Sequence, residues 1–204
     1  MRPFTRTIVP SGQYQEVKKV GSRYIVSLEP SEEDKQTKSV ECWECVVDSE
    51  PDLIALNADL QEYKAYVAEV KLKQAKAQKI KEIEAYDVST AVNSFTITKN
   101  GELVTDYWIP RDIRTSLEGD VMAASSIGDT YKFDIREMGI TLELNCNKFL
   151  EALSILRQYA YTAYNRTSEH MANVNNLASI EEVSQYDITT GYPEKLTFDI
   201  DSLK

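Results

Sequence analysis

The sequence predicts an α+β protein: a small β-rich N-terminal arm, a long coiled-coil-like helix, and a compact C-terminal domain with an antiparallel sheet packed on a long helix. Three observations predict it. Residues 1–48 read as short alternating runs broken by turn residues. Residues 49–86 hold a heptad seam with neither Gly nor Pro beyond position 51. Residues 87–204 alternate strand-like runs with amphipathic helical stretches.

In the arm, "QYQEVKKV" and "RYIVSL" are strand-like and meet at Val20-Gly21-Ser22, a hairpin turn. "SEEDKQTK" is a polar loop, and "SVECWECVVD" returns to strand composition. An arm this short buries little surface alone and needs a neighbour. Ser49-Glu50-Pro51-Asp52 then starts a helix, with a hydroxyl cap, Pro in the first turn and an acid at the positive end of the dipole. Leu53, Leu56, Leu60, Tyr63, Val67, Val70, Gln74 and Ala77 follow at alternating spacings of three and four, the narrow seam of a coiled coil. This predicts a stalk that self-associates through those residues, although a helix packed on its own chain shows the same spacing. At 1.5 Å per residue, a helix over 51–86 spans roughly 54 Å.

Past residue 87, "SFTITKNGELVTDYWI" reads as a hairpin turning at Asn100-Gly101. "PRDIRTSLEGDVMAASSIG" reads as a helix with Pro110 in its first turn, Ile113, Leu117 and Val121 on one face, and Gly128 at its end. "DTYKFDIREMGITLELN" is a second hairpin turning at Met138-Gly139. A helix near 147–178 carries Phe149, Leu153, Leu156, Ala160, Ala163, Met171, Val174 and Leu177 as its apolar stripe. Ser179 and Glu182 form a capping box for a short final helix, and "KLTFDI" closes as a strand.

"EIEAYDVST" at 82–90 and "EVSQYDITT" at 182–190 repeat one pattern. The intervening residues do not repeat, so the pair reads as two equivalent helix-to-strand joints rather than a duplication. Tyr86 and Tyr186 are expected to pack under the two exits. Asp87 and Asp187 are expected to bond local amides, and the two following strands to lie side by side in one sheet.

Composition narrows the function classes. A formal charge of -10 argues against binding nucleic acid or an anionic membrane surface, and residues 87–204 carry the excess acid. No apolar run approaches the roughly 20 residues of a membrane span, and the start lacks the apolar stretch of a secretory signal. Three cysteines suit a reducing compartment, so folding is expected in cytoplasm.

Cys42-Trp43-Glu44-Cys45 sits in strand-like sequence that points its sulfurs to opposite faces, which suits neither zinc nor a redox pair. His170 is the only histidine and reads as a helix-surface or packing residue. No catalytic residue, metal site or cofactor is assigned. The densest mix of aromatic and charge is Asp106, Tyr107, Trp108, Arg111 and Asp112, at one strand-to-helix corner. Its plain reading is a core Trp beside a capped helix, and its functional reading is a docking corner for a protein partner.

The stretches "KIKEIEAYDVSTAVNSFTI", "YWIPRDIRTSLEGDV" and "LRQYAYTAYNRTSEHMANVNNLASIEEVSQYDITTGYPEKLTF" together resemble a domain of unknown function associated with phages and prophages. The resemblance covers about residues 79–198, and its end motif, a Tyr-Asn helix, then His, then "YD…GYP", is the more specific part. It implies no activity or catalytic residue. It implies a link to tail fibre or baseplate; taken with the heptad seam, the expectation is a non-enzymatic protein acting by oligomerisation and protein docking. Such a protein is made in the host cytoplasm and carried in the virion, as a homo-oligomer with protein partners. Two alternatives stay open: an assembly chaperone absent from the mature virion, and, in a different class, a carboxylate-based enzyme or small-molecule binding protein at the Trp108 corner.

Overall fold

The computed structural model describes residues 1–136 and 139–204. The fold is α+β, and its contacts divide the chain into two units, residues 1–74 and 75–204.

The first unit is a four-stranded antiparallel sheet, β1 (Thr5–Pro10), β2 (Val17–Val20), β3 (Arg23–Leu28) and β4 (Ser39–Val47), in the order β1-β4-β3-β2. The hairpin turns at Gly21, whose φ of 64° lies in the left-handed region that glycine tolerates. Strand β1 was not legible in advance. It is an edge strand ending in Pro10, with little inward-facing apolar surface to give it an alternation. The opposite edge, β2, is exposed throughout and carries Lys18 and Lys19, charges that discourage strand addition by another chain.

One face of this sheet is apolar. Pairing sets Cys45 beside Val26 and Trp43 beside Leu28. With Phe4 and Val47 they form a face that the early turns of helix α1 (Leu53–Asp87) cover. A lone sheet with one wet face needs such a cover.

The cap of α1 lies later than expected. Asp52, not Ser49, accepts the N–H groups of Ile54 and Ala55, at 3.0 and 3.1 Å. Asp52→Ala is expected to lower stability by about 1 kcal/mol, measured as a drop in urea midpoint without a change in slope.

The second unit runs from the last turns of α1 through β5 (Phe95–Lys99), β6 (Glu102–Tyr107), α2 (Arg111–Ser125), β7 (Thr130–Ile135), β8 (Ile140–Asn145), α3 (Cys146–Asn176), α4 (Ile180–Gln185) and β9 (Thr197–Asp199). Asn100 and Gly101 both have positive φ, 54° and 78°, the geometry a two-residue hairpin between β5 and β6 requires. Met138, half of the turn expected between β7 and β8, lies outside the described residues. The hairpin pairs antiparallel from Thr130 opposite Asn145 to Ile135 opposite Ile140. Strand β8 leads directly into α3, capped by Asn145, whose side chain accepts from the N–H groups of Asn147 and Lys148.

The two joints do bring their strands together. β9 lies beside β5, parallel, with Ile97 opposite Phe198, in a sheet ordered β6-β5-β9. Around it Phe95, Ile97, Phe133, Leu144, Phe149, Leu153 and Leu156 form the core, with α3 as its main helical wall.

Candidate docking surfaces

The expected oligomerisation seam divides in two. Leu56 and Leu60 are fully buried against Phe4, Val26, Leu28, Cys45 and Val47 of their own unit, and Leu53 and Tyr63 pack beside them. The apolar face of the β1–β4 sheet thus covers Leu56 and Leu60 completely and Leu53 and Tyr63 in part. Val67 and Val70 are half-buried, and Gln74 and Ala77 are exposed. What remains is shorter than the three to four heptads a stable coiled coil usually needs.

Around the aromatic side chain of β4 is a groove of about 350 Å³ lined by Arg6, Glu29, Ser31, Glu41, Cys42, Trp43 and Lys64. Arg6 and Lys64 approach the Trp43 ring at 5.9 and 5.8 Å. Each also holds a carboxylate: Arg6 pairs with Glu41 at 2.6 Å, and Lys64 pairs with Glu29. The Lys64 ammonium, helped by Gln61, keeps the Glu29 carboxyl below its ordinary range. Cys42 and Cys45, both buried in β4, have thiols pushed up by desolvation, which disfavours the thiolate.

The Trp108 corner is split by the fold. Asp106 accepts from Thr96 Oγ1 at 2.8 Å and pairs with Lys195 at 2.7 Å, and Lys195 first, then Thr96, holds its carboxyl down. The Tyr107 ring lies edge-on to Phe95 and Phe133, in the core. Trp108 is half-buried, edge-on to Tyr159 at 6.3 Å, while Arg111 and Asp112 stay exposed at the start of α2.

The face of α2 differs from the reading by one position. Ile113 is 48% exposed, whereas Arg114 is 7% exposed and shares the inner face with Leu117 and Val121. Spacings of 3 and 4 from Arg114 fit a helix as well as 4 and 4 from Ile113, and chemistry alone favoured the Ile. Arg114 sets its guanidinium 5.0 Å from the Trp108 ring, and Arg157 on α3 pairs with Glu118 on α2. Neither arginine stood out in sequence.

No protein-family model, curated protein or solved structure matches this chain. Among the described residues no helix is long and apolar enough to cross a membrane.

His170 is fully buried. Its Nδ1 lies 2.8 Å from Tyr186 Oη and its Nε2 lies 2.9 Å from the Thr190 carbonyl. That carbonyl only accepts, so Nε2 carries hydrogen and donates, and Nδ1 is left to accept from the tyrosine hydroxyl. The ring stacks on Tyr192 at 5.5 Å and 23°. Tyr192 Oη meets Thr167 Oγ1 at 2.9 Å, and Thr167 donates to Asp87 at 2.6 Å.

The two joints thus use their acids differently. Asp187 accepts locally from the N–H and hydroxyl of Thr189, as expected, while Asp87 reaches across to α3. The clue in the sequence was the period itself. Ala163, Thr167, His170 and Val174 continue the buried face of α3, so two polar residues occupy core positions and need partners.

Gly191, with a φ of 74°, closes this loop. A Cβ there would stand 2.5 Å from Arg166 Nε, which donates to the Thr190 carbonyl at 2.9 Å. Gly191→Ala is expected to cost about 1–3 kcal/mol in chemical denaturation, from the left-handed backbone and the displaced guanidinium together.

Proposed function

We propose that this chain is a non-enzymatic docking protein of a bacteriophage particle, linked to tail fibre or baseplate. The observation that carries the reading is the fate of its most specific motif. Of His170, Tyr186 and Tyr192, residues of the motif on which the phage-domain resemblance of 79–198 chiefly rests, His170 hydrogen-bonds Tyr186 and the Thr190 carbonyl and stacks on Tyr192. Side chains used in this way maintain the shape of a loop and leave no base or nucleophile facing solvent. Three of the four carboxylates in the two surface candidates support the same reading. Glu29, Glu41 and Asp106 are each tied to a cation. Glu29 and Asp106 are held down rather than raised toward the working pH that general acid–base catalysis favours.

Partner recognition then falls to surfaces such as the Trp43 groove and the Trp108 corner, where aromatic and arginine side chains supply typical interface anchors. Self-association through the full helical seam is not part of this reading. Mass spectrometry of purified particles, from a host producing this chain, tests it. The chain is expected among the particle proteins. Presence in assembling lysate with absence from particles would instead mark an assembly chaperone, and catalytic consumption of a substrate by the purified chain would defeat the non-enzymatic assignment.

A further inference from the structure

The lining of the Trp43 groove carries two cations and two carboxylates, and each charge is already answered: Arg6 pairs with Glu41, and Lys64 with Glu29. An anion or a cation entering it must compete with one of these pairs, and an apolar molecule must strip water from all of them. A neutral molecule rich in hydrogen-bonding groups meets neither cost. Donors and acceptors remain for it. Among the described residues only Arg6 donates to the Glu41 carboxylate, at Oε2, so Oε1 is left to accept. Arg6 and Lys64 each hold further N–H donors beyond the one given to their acid. A carboxylate beside a cationic donor suits two adjacent hydroxyls of a sugar ring. One hydroxyl donates to the carboxylate, and its neighbour accepts from the guanidinium or ammonium.

Trp43 supplies the complementary apolar element. It is half-buried in β4, and its ring is fixed edge-on against Tyr63 at 6.2 Å. Arg6 and Lys64, at 5.9 and 5.8 Å, stand near the outer limit of about 6 Å for a cation–π contact, and the indole still borders the groove. The polarised C–H groups on one face of a sugar match the electron-rich face of an indole. The backbone adds an independent sign. Glu29 has a φ of 49°, left-handed for a residue with a side chain, and it precedes Pro30, which favours extended backbone before it. Gln61 and Lys64 hold its carboxylate at the groove. Strain of this kind clusters at ligand clamps.

We infer that the groove of Arg6, Glu29, Glu41, Trp43 and Lys64 binds one ring of a neutral saccharide. Its volume of about 350 Å³ lies at the low end of small-ligand pockets, roughly 300–1,000 Å³, which suits a sugar ring and not the face of a folded domain. That the ring belongs to a glycan on a docking partner rests on the docking reading above; the saccharide site itself does not.

The test follows the indole N–H signal of Trp43, identified by its loss in Trp43→Phe, by NMR of the full chain. Trp108, in the other unit, is the internal control. The probes are methyl glycosides of glucose, galactose, mannose and N-acetylglucosamine, the same sugars free, and capped hexaglutamate and hexalysine peptides. At least one glycoside is expected to shift the Trp43 signal saturably at millimolar concentration, to leave Trp108 unmoved, and to bind equally at low and high salt, since it carries no charge. Glu41→Gln replaces a partly exposed charged acceptor and is expected to weaken that glycoside roughly tenfold in a chain that stays folded. Silence toward every sugar, an equal shift of Trp108, or unchanged binding by Glu41→Gln would each overturn the site. Tighter binding of either peptide would overturn the saccharide assignment, and tighter binding of free sugars than of their glycosides would overturn the glycan as its source. Failure here leaves the particle inventory unaffected, so the two readings can fail separately.

Discussion

Leu60→Asp is expected to unfold the first unit rather than to dissociate an oligomer. Leu60 has no exposed surface and lies in the cluster of Phe4, Val26, Leu28, Cys45, Val47 and Leu56. Truncating such a leucine to alanine typically costs about 2–5 kcal/mol through lost transfer energy and a residual cavity. A carboxylate adds the penalty of a buried charge with no cation built to meet it. Together these approach the whole stability of a small domain, roughly 5–15 kcal/mol. Val67→Asp and Ala77→Asp, farther along the same seam, are expected to cost less than about 1 kcal/mol, since their positions are half-buried and exposed. Far-ultraviolet circular dichroism with light scattering on the full chain distinguishes the cases. A folded Leu60→Asp protein of reduced mass would restore the interchain seam.

His170→Ala is expected to be the second most damaging change, at about 3–4 kcal/mol in urea denaturation. It removes a fully buried ring, its stack on Tyr192 and its edge contact with Tyr186. It also removes two hydrogen bonds, leaving the Thr190 carbonyl to Arg166 and the Tyr186 hydroxyl to Asn173. His170→Phe separates the two contributions: it retains most of the volume and loses both hydrogen bonds, for an expected cost of about 2 kcal/mol. Equal losses in the two variants would mean the hydrogen bonds dominate and packing counts for little. Neither change is expected to shift the Trp43 indole signal, which belongs to the other unit.

The sequence by itself determined which segments are helix, strand and turn wherever the signal was local. The Asn100-Gly101 turn, the Ser179–Glu182 capping box, the α2 and α3 helices and the three hairpins all follow from chemistry within a few residues. It also led to the pairing of β5 with β9, because two matching exits implied two neighbouring strands. Where the local signal was weak, as in edge strand β1, the element was missed.

The tertiary structure decided what each face meets. A heptad seam states that a helix has a narrow apolar edge and not whose surface covers it. Here the sheet of the same chain covers Leu53, Leu56, Leu60 and Tyr63, since an antiparallel sheet with one apolar face must bury it somewhere. A period near 3.6 likewise admits Arg114 or Ile113 as the inward residue, and only the neighbouring Trp108 and α3 select the arginine. Thr167 looks like an interruption of the stripe, and His170 like a neighbour of it, until Asp87, Tyr186, Thr190 and Tyr192 arrive from elsewhere in the chain. Periodicity is a property of neighbours along the backbone, whereas burial and hydrogen bonding depend on groups that only folding brings together.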